Sequence, residues 1–493
     1  TICLLGDTKY LRAWDAKNPI LLSRNKGEDY FSVSLDLSNA TFPVAYKYGI
    51  YDVVKKSFVV FENGNNRVLV DAPSADKRIV VNDGFTYLPN DTWKGAGVAI
   101  PVFSLRSNGG LGVGEFTDIK LLVDWAKKVG LKKIQLLPIN DTTATHSWKD
   151  SYPYAAISAF ALHPLYIHLD NLIPASNKKL NAKLATAKQK LNAPDVVDYE
   201  AVANIKYEIL AELYELIGSK TLASKGFKEF YTKHQHWLAS YAAFCYCRDQ
   251  FGTIDFNAWP KHNNYVESDF KFLVESDASV KNVVEKYYFI QYLLDIQLRE
   301  ATAYAHENGV IVKGDIAIGV YRYGVDAWQH PDLFHMGMQA GAPPDDFAVA
   351  GQNWGFPTYN WEKMTTNGFA WWKQRFEQMS LYFDSFRIDH ILGFFRIWSI
   401  PMHAVEGILG HFVPAIPVHE NELIERGIHI NIREFAKPII TEKALWDYFG
   451  YDNEAVKAEF VTYDGFGKYT LKPAFATQRL VEKHFANLPS NDF

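Results

Sequence analysis

Three times between residues 100 and 400 the chain runs through an amphipathic helix into a short apolar strand that ends on polar side chains. Phe116, Ile119, Leu122, Val123, Ala126 and Val129 recur at helical spacing, and Gly130 closes that helix. Lys133-Ile134-Gln135-Leu136-Leu137-Pro138 follows as a buried strand. A helix through Leu293, Leu294, Leu298 and Ala301 ends near Gly309 and leads to a strand over 310–315. A third helix, with Phe369, Trp372, Phe376, Met379 and Phe383, leads to Ser385-Phe386-Arg387-Ile388-Asp389. Helix then strand, repeated, predicts parallel strands joined by crossovers. The strands and their flanks occupy 91–175 and 300–400.

The rest of the chain follows other patterns. Over 1–90, runs such as Tyr30-Phe31-Ser32-Val33-Ser34-Leu35 and Ser57-Phe58-Val59-Val60-Phe61, split by Gly, Asn and Asp, predict a small β-sandwich. Turn residues at 71–73 and 88–91 mark its exit. Residues 176–299 are Lys-rich and helical, as over 178–191 and 202–217. They are too long for a connection and read as an inserted helical subdomain. Residues 401–493 show no clear repeat.

Composition removes several function classes. The 493 residues carry 51 basic and 56 acidic side chains, a net charge of -5. That is too mild for a nucleic-acid or anionic-membrane binder. No segment nears the ~20 apolar residues of a membrane helix. Three cysteines, Cys3, Cys245 and Cys247, make no disulfide framework and fit a reducing, cytoplasmic setting. Aromatic residues reach 15%, which suits either stacking on sugar rings or an aromatic-rich core. The chain opens on Thr1 without a signal-peptide pattern and is expected to be a fragment.

The strand ends carry the candidate chemistry: Asn140 and Asp141, then Asp315, then Arg387, Asp389 and His390. In a parallel β/α barrel that is the end where active sites form. Asn140 and Asp141 fit helix capping as well. Arg387 and Asp389, two apart on a strand, share a face. A guanidinium there favours the charged carboxylate that a glycosidic nucleophile requires, and a structural ion pair is the competing reading. Two loops join them. One holds Tyr154 in Ser151-Tyr152-Pro153-Tyr154. The other, rich in Gly and Pro, runs from Gly337 to Trp361 and holds Trp354 in Gly351-Gln352-Asn353-Trp354-Gly355-Phe356-Pro357. Gly109-Gly110-Leu111-Gly112-Val113-Gly114 misses the dinucleotide spacing G-x-G-x-x-G. Cys245 and Cys247 stand too close for a zinc pair, G-x-S-x-G is missing, and neither metal nor cofactor is implied.

Together, Pro101-Val102-Phe103-Ser104-Leu105-Arg106, Gly110-Leu111-Gly112-Val113-Gly114, Gln135-Leu136-Leu137-Pro138, Ser151-Tyr152-Pro153-Tyr154, Gly314-Asp315, the 343–357 loop and Phe386-Arg387-Ile388-Asp389-His390 resemble glycoside hydrolase family 77, the 4-α-glucanotransferases or amylomaltases. Gly355-Phe356-Pro357-Thr358-Tyr359-Asn360-Trp361 and Ile391-Leu392-Gly393-Phe394-Phe395-Arg396-Ile397-Trp398 resemble its cytosolic plant-type branch. The resemblance implies a multidomain chain: a starch-binding β-sandwich, then the first four strands of a (β/α)8 TIM barrel with a helical insertion. It implies glucosyl transfer from maltose or maltooligosaccharides to glycogen or a starch-like glucan, without nucleic-acid or membrane partners. It makes Asp389 the nucleophile and Arg387 its electrostatic partner, with Asp315, Tyr154, Trp354 and His390 on the substrate. Residues 3–71 are similar to a family 20 starch-binding module, which puts Trp14, Lys47, Phe61 and Asn66 on the glycan. Phe61 stands where that module usually has Trp.

The family's acid/base is a Glu in a Glu-Asp-Leu-Gly segment, and no such segment follows Asp389. Residues 401–493 are therefore expected to begin an insertion between nucleophile and acid/base, and this chain alone is expected to be inactive. A plain α-glucan hydrolase and a non-catalytic glycan-binding scaffold are the alternatives.

Overall fold

The computed structural model describes residues 1–25, 28, 30–72, 77–89, 94–432 and 439–486. It divides into two compact units, 1–95 and 96–493. Of the expected exit of the first unit, Pro73, Asn90 and Asp91 lie outside the described residues.

The first unit is an antiparallel sheet of β1 (Ile2–Gly6), β2 (Ile20–Leu21), β3 (Val44–Asp52), β4 (Ser57–Phe61) and β5 (Arg67–Leu69). The order is β2-β1-β3-β4, and β5 pairs with the start of β3. Leu4, Leu11, Leu22, Val44 and Tyr46 form its core. These strands make one sheet among the described residues, where a two-sheet sandwich was expected. The run 30–35 forms no strand. Among the described residues only Ser32 pairs, bridging to Ser23, and no strand covers Tyr30, Phe31, Val33 and Leu35, which are exposed.

The second unit is built on four parallel strands: β6 (Gly97–Ile100), β7 (Lys133–Leu136), β8 (Ile311–Ile316) and, further along, β13 (Ser385–Ile388). Their spatial order is β13-β8-β7-β6. A helix precedes the strand at each step the sequence predicts, but the third helix runs only over Ala370–Met379, leaving Phe369 and Phe383 outside it. Helix α1 (Asp118–Val129) buries Ile119, Val123 and Ala126 and ends at Gly130, in the left-handed conformation at φ 81°. Ile134 and Leu136 of β7 and Val312 and Ile316 of β8 lie buried in the sheet.

Between β7 and β8 come α2 (Lys178–Asn192), α3 (Tyr199–Ala223), α4 (Lys225–Phe251), α5 (Glu267–Ser276) and α6 (Ala278–Glu307). The helices share one continuous hydrophobic core with the sheet. Asp277 caps α6, accepting from the N–H groups of Ser279 and Val280. Two amides on α6 act as substitute strand backbone. Gln291 accepts from Leu162 N–H and donates to Leu162 C=O, both at 2.8 Å. Gln297 does the same for His168, at 2.8 and 2.7 Å. They add to the isolated antiparallel bridge between Asn140 and Leu162 in holding the loop after β7.

Beyond β8, α7 (Val325–Gln329) leads to β9 (Phe334–His335), β10 (Met338–Ala342), β11 (Gln352–Asn353) and β12 (Thr358–Tyr359). Helices α8 (Trp361–Thr365) and α9 (Ala370–Met379) precede β13. Then β14 (Ile397–Pro401) and β15 (His411–Val413) join an antiparallel sheet in the order β11-β10-β14-β15. A small sheet, formed by Ile440–Thr441, Lys468–Leu471 and Val461–Gly465, lies further along the chain. No helix among the described residues is long and apolar enough to cross a membrane.

Candidate active site

Strand β8 and strand β13 pair in parallel so that Arg387 stands opposite Asp315. Gly314 permits this close packing, since a Cβ there would come within 2.4 Å of the Phe383 ring. Arg387 Nη1 bonds to Asp315 Oδ2 at 2.8 Å, and Nη2 bonds to Asp389 Oδ1 at 2.5 Å. Tyr154 O–H donates to Asp315 Oδ2 at 2.9 Å and accepts from Arg387 Nη1 at 3.2 Å. Asp389 lies one residue past β13, and its N–H extends the ladder to Ile316 C=O at 3.1 Å. One guanidinium thus holds two carboxylates, with a phenol bridging to the deeper one.

The two carboxylates sit in different surroundings. The Asp315 side chain is 0% exposed, whereas that of Asp389 is 27% exposed. Asp315 Oδ1 is buried without a hydrogen-bond partner. Burial raises the Asp315 carboxyl above its ordinary value, and Tyr154 and Arg387 offset this only in part. Burial and the adjoining carboxylate push the Tyr154 phenol up to about 12, so it stays a donor. Burial works against the Arg387 guanidinium, but Asp315, Tyr154 and Asp389 outweigh it and its pKa rises. The penalty falls on Asp315 because it is enclosed, while Arg387 is 41% exposed.

An aromatic wall adjoins this cluster. His390 takes the left-handed conformation at φ 48°, and its ring meets Trp354 edge-on at 5.1 Å. Trp354 stacks on Phe356 at 5.8 Å, and its indole N–H donates to Gln352 Oε1 at 3.0 Å. Trp354 is half-buried, so it is not a plug inside the core.

The family model described as 4-alpha-glucanotransferase, of glycoside hydrolase family 77, matches residues 100–469. The chain belongs to that family. The 4-alpha-glucanotransferase DPE2 of Oryza sativa subsp. japonica is 41% identical over 464 residues, covering 94% of this chain and 48% of the rice protein. The 4-alpha-glucanotransferase of Chlamydia caviae is 34% identical over 304 residues, 61% of this chain and 56% of its own. The chain thus spans about half the length of these curated relatives. Amylomaltase from Streptococcus agalactiae, solved in complex with acarbose, superposes with a TM-score of 0.57 at 26% identity, covering 65% of this chain and 64% of its own. Corynebacterium glutamicum amylomaltase, at 23% identity and a TM-score of 0.55, shares the fold over 67% of this chain and 45% of its own.

In this family 77 chain, four residues singled out from sequence, Tyr154, Asp315, Arg387 and Asp389, form one bonded cluster. Trp354 and His390 pair with each other. Asp141 is a buried hub, accepting from Thr143 N–H at 2.9 Å and Tyr241 O–H at 2.7 Å. Asn140 Nδ2 donates to Ala161 C=O at 3.4 Å. In the first unit, Trp14 and Phe61 meet edge-on at 6.0 Å, and Lys47 Nζ donates to Gly64 C=O at 2.6 Å. Asn66 is exposed nearby in sequence, between β4 and β5. Sequence reasoning missed Arg322, which bonds to the loop of Trp354. No spacing marks it out, since its three acceptors are backbone carbonyls.

Proposed function

We propose that the protein is a retaining 4-α-glucanotransferase. It passes glucosyl units from maltose or maltooligosaccharides to an α-glucan such as glycogen, in the cytosol. The parallel strands are then the first four of a (β/α)8 barrel, with α2 to α6 as its helical insertion. The observation that carries the reading is the Tyr154–Asp315–Arg387–Asp389 cluster at the C-terminal ends of β8 and β13.

Asp389, the more open carboxylate, attacks the anomeric carbon of a terminal glucosyl unit. The glycosidic C–O bond breaks, and a second carboxyl group roughly 5–5.5 Å away protonates the departing sugar oxygen. An acceptor 4-hydroxyl then takes the glucosyl unit and returns its proton to that carboxyl. Each step inverts, so the α-configuration is retained. Among the described residues, no glutamate is bonded to the cluster. Arg387 orients Asp389 for attack. Asp315, whose own side chain is enclosed, holds the Tyr154 phenol and the Arg387 guanidinium at the sugar site. Trp354 and His390 wall the sugar site, where transfer beats hydrolysis only if an acceptor is positioned better than water. In the first unit, Trp14 and Phe61 offer a sugar ring their apolar surfaces, and Lys47 and Asn66 offer it polar contacts.

The decisive experiment incubates the full-length protein with maltose and labelled glycogen. Free glucose with matching growth of glycogen supports transfer. Glucose yield that ignores the acceptor identifies a hydrolase, and glycan binding without turnover identifies a scaffold. A mechanism-based fluorosugar must label Asp389, and labelling elsewhere would reject the assignment.

A further inference from the structure

Arg322 follows Asp315 by seven residues, between β8 and α7. It is 7% exposed, yet no carboxylate pairs with it among the described residues. Its guanidinium is spent on three backbone carbonyls. Nε donates to Gly355 at 3.0 Å, Nη1 to Met336 at 2.5 Å, and Nη2 to Met338. Gly355 lies between Trp354 and Phe356, while Met336 and Met338 flank the start of β10. The same corner is also pinned through Phe356. Its ring rests on Gly319, where a Cβ would come within 2.1 Å. Trp354 N–H adds a bond to Ala340 C=O at 3.0 Å. A segment continuing directly from Asp315 therefore grips the loop of Trp354 at two points, Arg322 and Gly319.

Charged donors make the stronger hydrogen bonds, and a planar fork reaches three converging carbonyls as a lysine ammonium does not. We propose that Arg322 is a positioning residue. It fixes the Trp354–His390 wall relative to Asp315, and so sets how well an acceptor sugar competes with water for the glucosyl unit. This rests on the glucanotransferase reading. A wall misplaced by about 1 Å relaxes the acceptor geometry, an effect worth up to about 10²-fold in rate. Water needs no such wall, so transfer falls further than hydrolysis does.

The test uses full-length protein carrying Arg322→Lys, Arg322→Gln, Trp354→Ala or Arg322→Lys with Trp354→Ala. The readout is the ratio of glucosyl transfer to glucose release by hydrolysis. That ratio is expected to fall about tenfold in each single variant, with no further fall in the double variant, because one residue acts through the other. A merely structural role would lower both rates in proportion and leave the ratio unchanged. An unchanged ratio, or fully additive losses, overturns the proposal. If the Arg322 variants do not fold, Gly319→Ala displaces Phe356 from the same corner and must lower the ratio too; a wild-type ratio there overturns the proposal. A wild-type protein that transfers nothing instead defeats the reading beneath it.

Discussion

Arg387 and Asp315 are opposite partners in a parallel ladder and are also joined side chain to side chain at 2.8 Å. Backbone register therefore fixes the ion pair. The same guanidinium reaches Asp389 with its other terminal nitrogen, so one arginine orients both carboxylates.

Replacing Asp389 by Asn keeps shape but removes the proposed nucleophile. Transfer is expected to fall by about 10⁴-fold or more, while binding of maltooligosaccharide is unchanged by calorimetry. Near-normal turnover would dismiss the assignment.

Asp315 carries a pH signature. Burial raises its carboxyl above the ordinary 3.8. The folded state then holds that proton more tightly than the unfolded chain, so ionised Asp315 subtracts stability above the raised value. The loss is relieved as pH falls through that value towards 3.8. Asp315→Asn is therefore expected to match or exceed the wild-type unfolding midpoint at neutral pH, with the difference closing as pH nears 3.8. Calorimetric scans across that window check it, together with a raised KM for the donor.

Glu115, paired with Lys206, behaves in the opposite sense: the pair is buried, and burial also works against the Lys206 ammonium. That ammonium bonds to Glu115 at 2.6 Å and to the carbonyls of Leu165 and Ile167. Burial opposes ionisation of Glu115, but Lys206 and His168 hold its carboxyl below the ordinary 4.5. Lys206→Met strands a buried charge and is expected to cost about 3–5 kcal/mol. A depressed carboxyl adds stability above 4.5 and loses it as pH falls through the folded value. The penalty of Lys206→Met should shrink on acidification, which denaturant titrations at several pH values will measure.

Trp14→Ala or Phe61→Ala removes one face of the edge-on pair in the first unit. Affinity for a soluble α-glucan is expected to drop about tenfold, equal to about 1.4 kcal/mol. Turnover of maltose with a short acceptor should be unaffected. Unchanged glycan affinity in both variants would remove these residues from the glycan site.

Local pattern was enough wherever one element decides its own form. The spacing of Ile119, Val123 and Ala126 and the cap at Gly130 follow from one helix, and α1 forms where they predict it. Polar strand ends at Asp315, Arg387 and Asp389 were equally legible, because strand alternation is a neighbour-to-neighbour property. The run 30–35 failed for the complementary reason. Its composition suits a strand, but a strand needs a partner, and among the described residues its one backbone bridge is to Ser23.

The sequence by itself determined the repeated helix-strand units, the residues at the strand ends and, through its motifs, the family. Tertiary structure alone decided which of those residues meet. Tyr154 reaches Asp315 across 161 positions and Arg387 across 233. It alone revealed Arg322, Lys206 and the amides of Gln291 and Gln297, whose partners are largely backbone groups. A carbonyl is the same at every position, so only the folded path of the chain says which side chain it will meet.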